Sequence, residues 1–124
     1  MTKLVWLAFA GIGGTLARYG LSGLVQRTLG AQFPWGTLFV NVTGCFVFGL
    51  FWSLAENRLT ISGEIRTVVL IGFLGAFTTF SSFAFETGQL LRDGQWLTAL
   101  LNLSAQNLLG ILMLFVGQNI GRLL

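Results

Sequence analysis

The chain has no histidine, one cysteine, one proline and only four acidic residues in 124 positions. Without histidine, and with Cys45 alone, an intrachain disulfide, a His/Cys metal site and a Cys/His nucleophile pair are all excluded. Cys45 is read as packing. Charge is scarce as well. Charged residues make up 9% of the sequence, far below what a water-facing surface needs, so an ordinary soluble domain is excluded. The seven basic residues stand singly and form no stripe that would track phosphates, which argues against a nucleic-acid partner. No nucleophile with a base beside it can be assembled from these residue types, so an enzyme is not supported.

What is present is apolar. Hydrophobic residues account for 54% of the chain and aromatics for 14%, with a mean hydropathy of +0.80. A helix needs about 20 mainly apolar residues to cross the hydrocarbon core. Polar clusters cut the sequence into four such segments, approximately Leu4 to Val25, Trp35 to Ala55, Ile65 to Leu91 and Trp96 to Ile120. The predicted fold is therefore an all-α integral membrane protein, with residues 1–124 forming a single four-helix transmembrane domain. The first segment runs on too long for a signal h-region and has no clear small-x-small cleavage site, so it is read as a retained helix. Pro34 is placed to open the second helix without losing a backbone hydrogen bond. Glu56-Asn57-Arg58 ends that helix in water, and Arg92-Asp93-Gly94 is a tight polar turn. Trp6, Trp35, Trp52 and Trp96 suit the membrane interfaces.

Seventeen glycines, mostly inside the apolar segments, favour close helix packing. They lack the strand-then-helix setting of a phosphate loop. Four crossings put Lys3, Arg58, Arg66 and Arg122 on one side of the membrane and Arg18, Arg27 and Arg92 on or toward the other. Such a near-balance gives the positive-inside rule little to act on. Insertion in both orientations, with opposite copies pairing, stands beside a single orientation set by weak bias.

The stretch Gly72-Phe-Leu-Gly-Ala-Phe-Thr-Thr-Phe-Ser-Ser-Phe-Ala-Phe-Glu86 alternates aromatics with hydroxyls in mid-membrane. Hydroxyls in hydrocarbon need partners, and Gly72 and Gly75 followed by Thr78, Thr79, Ser81 and Ser82 mark a place for the helix to break. Phe80 and Phe83 share a helical face, and their ring edges are electropositive enough to meet an anion, although packing and lipid contact also account for phenylalanine here. Asn41 puts an amide in the second helix, suited to an interhelical bond or to an anion. Asn102 and Gln106 stack amides on one face of the fourth helix, with Asn107 adjacent. Arg18 is placed near the far end of the first helix, to snorkel or to set a positive mouth. Glu86 is the most deeply placed acid and is expected to pair with Arg18 or with the helix break.

Taken in order, Gly13-Gly-Thr-Leu-Ala-Arg18-Tyr19, Pro34-Trp-Gly-Thr-Leu-Phe-Val-Asn41-Val-Thr-Gly44, and Gly72-Phe-Leu-Gly75 with Thr78-Thr-Phe80-Ser-Ser-Phe83 and Glu86 resemble the Fluc/CrcB fluoride channel family over nearly the whole chain. The resemblance implies a passive fluoride-selective channel that exports fluoride from the cytoplasm across the cell inner membrane, thereby relieving fluoride toxicity. It also implies an antiparallel dual-topology homodimer with two pores. By motif, Asn41, Phe80, Phe83, Ser81 and Thr79 belong to the fluoride pore. Main-chain carbonyls of Gly75 and Thr78 from both copies would hold a structural sodium ion at the dimer centre. The fourth helix departs from the family pattern: where a line of hydroxyls is expected it carries Asn102, Gln106, Gly110 and Leu114, of which the last two donate nothing.

Two other readings bear on function. A small multidrug-type exporter has similar length and helix number but needs a membrane-embedded carboxylate, typically in the first helix, which here carries no acid. A non-transporting helper subunit would use the glycines for packing against a larger complex.

Overall fold

The computed structural model describes residues 1–57 and 61–124. The predicted Arg58 end of the second helix lies outside the described residues. Among them are four helical spans long and apolar enough to cross a membrane: Thr2–Leu29, Trp35–Glu56, Gly63–Arg92 and Trp96–Leu123. The fold is all-helical. Its elements are α1 (Thr2–Leu29), α2 (Trp35–Asn57), α3 (Gly63–Thr67), a π-helical stretch Val68–Leu74, α4 (Gly75–Phe77), α5 (Phe80–Arg92) and α6 (Trp96–Leu123). The spans are longer than the apolar runs predict. Polar flanks such as Gln26 and Arg27 stay helical because a helix keeps its backbone bonded internally as it leaves the lipid.

Local chemistry shapes the connections among the described residues. Gly30 ends α1 with φ 95, a conformation open to glycine, and its N–H returns to Gln26 O. The Gln26 side chain then clasps the loop. Its Nε2 donates to Gly30 O at 2.6 Å and Phe33 O at 2.9 Å, while its Oε1 accepts from Gly36 N at 3.0 Å. Pro34 sits just before α2, as predicted, and its carbonyl takes the first helical bond from Leu38 N at 3.2 Å. Ser62 caps α3 by accepting from Ile65 N. Arg66 Nη2 donates to Ala55 O at 2.6 Å and so binds α3 to the end of α2. The 92–94 turn closes through Gly94, with φ 73, and bonds from Gly94 N to Leu91 O and Gln95 N to Leu90 O.

Packing follows the glycines. The most extensive contact joins α2 to α6, where a Cβ at Gly49 would fall on Leu114 O and one at Gly117 on Phe46 O. Backbones that close require small residues. On the other side α1 lies along the π-helical stretch and α4, with Gly14 set against Phe73 O. Val40, Leu74 and Phe77 form the buried apolar cluster, backed by Ala17, Leu21 and Phe73. Most of the remaining large apolar side chains, such as Phe9, Leu16, Ile71 and Leu108, point outward as a lipid-facing surface should.

Candidate functional site

The third span is interrupted where its small and hydroxyl residues sit. The π-helical stretch, itself a common mark of functional helices, gives way to α4, which stops at Phe77. Thr78 (φ −83, ψ 159) and Thr79 (φ −149, ψ 108) are extended before α5 begins at Phe80. Main-chain acceptors at and before the break, Gly75 O and Thr78 O among them, lose their helical donors as a result. Thr79 N, which would have bonded Gly75 O, donates instead to Asn41 Oδ1 at 2.8 Å. Ser82 N, which would have bonded Thr78 O, donates to Thr79 Oγ1 at 3.2 Å. Thr78 O is met by Arg18 Nη1 at 3.5 Å.

Asn41 bridges the interruption. Besides accepting from Thr79 N, it donates through Nδ2 to Thr79 O and to Gln106 Oε1, both at 3.0 Å. Both of its amide hydrogens therefore have acceptors within the chain. The fourth-helix amides predicted to share a face divide in the structure. Asn102 and Gln106 are buried and joined, Gln106 Nε2 donating to Asn102 Oδ1 at 3.5 Å, whereas Asn107 is exposed and donates to Leu103 O. Gly110 brings α6 against Cys45, where its Cβ would lie 3.5 Å from the thiol sulfur. Among the expected positions of the polar track, Gly110 and Leu114 supply packing only.

Phe80 and Phe83 meet edge to face, with ring centroids 5.5 Å apart and planes at 69°. They differ in setting: Phe83 is 7% exposed and Phe80 77%. Both line an open groove of about 330 Å³ with Asn41, Gly75, Thr78, Thr79 and Gln106. The hydroxyls lie on the other side of the break. Thr79 Oγ1 donates to Ser82 Oγ at 2.9 Å and lies 3.3 Å from Ser81 Oγ. Ser81 and Ser82 open onto a second, more polar recess with Thr15, Arg18, Ser22, Thr37 and Glu86.

Two expectations about charge are corrected. Arg18 lies well inside α1, which continues to Leu29, because the helix extends past the apolar run. Glu86 pairs with neither Arg18 nor the break. Its Oε1 accepts from Thr37 Oγ1 at 2.7 Å, and Oε2 is buried without a partner among the described residues. Thr37 lies one turn before Asn41 on α2, so the same helix that carries the amide to Thr79 carries the hydroxyl to Glu86. Thr37, Ser82 and Thr87 join the site beyond the residues the sequence assigns to it, and the one signal for Thr37 and Thr87 is spacing: the first falls four positions before Asn41 and the second four after Phe83.

Among the described residues no group of three His, Cys, Asp or Glu is placed to hold a metal. The freed carbonyls at Gly75 and Thr78 are a different donor set: hard, neutral oxygens that suit an alkali cation. Gly75 is exposed on the single chain, at the same open groove.

Known proteins resemble this chain over nearly its whole length. A protein of Nitrosococcus oceani named fluoride-specific ion channel FluC is 60% identical over 122 residues, 98% of each chain. Proteins of the same name from Desulforapulum autotrophicum and Solidesulfovibrio magneticus are each 53% identical, covering 98% and 100% of this chain and 98% and 99% of theirs. The family described as CrcB-like protein, Camphor Resistance (CrcB), matches residues 5–118, and with relatives this similar over their full length the chain belongs to that family.

Proposed function

We propose that this multi-pass membrane protein is a fluoride-selective passive channel that exports fluoride from the cytoplasm across the inner membrane. The observation that carries the reading is the interrupted third span, held by Asn41 so that amides and ring edges share one groove. Fluoride is small and strongly hydrated, so a selective pore must replace its water with several donors at once in a passage too narrow for larger halides. Phe80 and Phe83 offer positive ring edges and Gln106 an amide N–H, Asn41 lines the same groove while clamping Thr79, and Thr79 and Ser81 carry hydroxyls at the break. All are neutral, which keeps an anion weakly enough bound to leave.

The groove is open on the single chain, and Phe80 projects from it. A second copy in the opposite orientation closes it and makes two pores from two subunits. The near-equal basic counts on the two sides support this antiparallel homodimer. Carbonyls of Gly75 and Thr78 from both copies then hold a central sodium ion, which supplies positive charge and joins the subunits. The Arg18 charge beside Thr78 O opposes a cation there, so tight binding depends on the second copy's oxygens.

The test is fluoride efflux from liposomes containing the purified protein, compared with chloride under the same gradient. Rapid, chloride-excluding efflux is expected. Silence toward every anion would leave the helper-subunit reading standing, and substrate-dependent proton flux would favour an exporter. A reporter fused to the C-terminus should give signal in both compartments; signal confined to one removes the antiparallel pair.

A further inference from the structure

Thr87 lies one turn beyond Phe83, is 6% exposed and places its Oγ1 2.8 Å from Phe83 O. A carbonyl only accepts, so the single hydroxyl hydrogen is spent there. Asn102, fully buried at 0% exposure, has its amide 2.9 Å from Thr87 Oγ1 and must present NH2 to it. Its Oδ1 is thereby turned to Gln106, which can meet it only through Nε2, at 3.5 Å. The oxygen of Gln106 is left for Asn41 Nδ2, at 3.0 Å.

The opposite end of the series anchors the oxygen of Gln106, as Thr87 and Asn102 anchor its nitrogen. Thr79 N only donates and Thr79 O only accepts, which fixes the oxygen of Asn41 on the first and its NH2 on the second. The remaining N–H of Asn41 needs an acceptor, and Gln106 Oε1 is there. Amide orientation is normally ambiguous, because oxygen and nitrogen have nearly the same shape. Here two backbone carbonyls and one backbone N–H determine it from both ends. Turning Gln106 over would set NH2 against NH2 at Asn41 and oxygen against oxygen at Asn102, inside a membrane where neither group finds water.

An amide carries two hydrogens, and Gln106 spends one of them on the long contact to Asn102. Its side chain lines the groove with Phe80 and Phe83. We propose that Thr87 and Asn102 are positioning residues that aim Gln106, so that its second N–H, rather than an N–H of the fully engaged Asn41, is the amide donor offered to the anion. This deepens the fluoride-channel reading and rests on it. Conduction then depends on a threonine that never touches the ion.

Thr87→Val keeps the shape of the side chain and removes the hydroxyl, while Thr87→Ser keeps the hydroxyl and removes a methyl. Fluoride efflux from liposomes should fall about tenfold in the valine variant, the scale of one buried hydrogen bond. The serine variant should stay within about twofold of the unsubstituted protein, since the bond that sets the series is retained. The selectively labelled Gln106 side-chain amide should shift in NMR spectra of the valine variant and stay in place in the serine variant. If the valine variant does not fold, Thr87→Ala replaces it. Undiminished flux in the valine variant, equal loss in both variants, or lost flux with an unmoved Gln106 resonance would each overturn the proposal. Silence of the unsubstituted protein toward fluoride would count against the channel reading instead, and the Gln106 resonance would still decide the series.

Discussion

Gly44→Ala should uncouple α2 from the break, and the structure says by how much. Gly44 is buried one turn from Asn41, and a Cβ there would fall on Thr78 Cγ2, with Phe77 Cδ1 at 3.4 Å. Carbon atoms settle at about 3.5–4.0 Å, so relief takes a movement on the order of 1 Å. Thr78 is poorly free to rotate away, because its Oγ1 donates to Leu74 O at 3.0 Å. If α2 retreats instead, the bonds from Thr79 N to Asn41 Oδ1 and from Asn41 Nδ2 to Thr79 O, at 2.8 and 3.0 Å, pass out of range. Losing two such bonds costs about 2 kcal/mol, which leaves the clamped arrangement about 30-fold less populated. Fluoride efflux should fall in proportion. The offending atom is a methyl, so Gly44→Ala combined with Thr78→Ser, which keeps the hydroxyl, should recover most of the flux. Wild-type flux in the single variant, or no recovery in the double variant, would refute the clamp.

Phe80→Ile and Phe83→Ile should each remove most fluoride flux while gel filtration still shows the proposed homodimer; undiminished flux in both would dispose of the ring-edge account. Phe83→Ile should additionally cost about 1–2 kcal/mol of stability, because Phe83 is buried and Phe80 is not. Gly117→Ala places a Cβ on Phe46 O and 2.8 Å from Leu50 N, so it should destabilise the protein by about 1–3 kcal/mol, read as a lower midpoint of thermal unfolding in detergent. Replacing sodium with a bulky organic cation should lower that midpoint too: saturation at about 100 times the Kd is worth about 2.7 kcal/mol. A midpoint indifferent to the cation would remove sodium from the proposed dimer.

Much of this architecture is legible in the residues because lipid is an exacting solvent. The four spans follow from apolar length alone, and the interruption follows from Thr78 and Thr79, whose hydroxyls and neighbouring glycines make an unbroken apolar helix a poor solution. The π-helical stretch is not legible. Val68-Val-Leu-Ile-Gly-Phe-Leu74 is apolar on all sides, so no periodicity distinguishes one helical winding from another. Partners across the fold are hidden for a different reason. Glu86 is matched by Thr37, 49 positions away, and Asn41 by Gln106, 65 away, and composition carries no information about such separations. Charge suggests Arg18 for Glu86, yet a neutral hydroxyl on α2 lies within reach and takes the place.

The Gln26 clasp has a consequence for assembly. All its partners fall within ten residues, so the corner between the first two spans completes itself without anything from α5 or α6. A nascent chain that carries this corner already holds every group that satisfies its polar bend. The proposed dual topology asks that this hairpin settle from either leaflet, with few basic residues to hold either end back, and that the later spans inherit the choice.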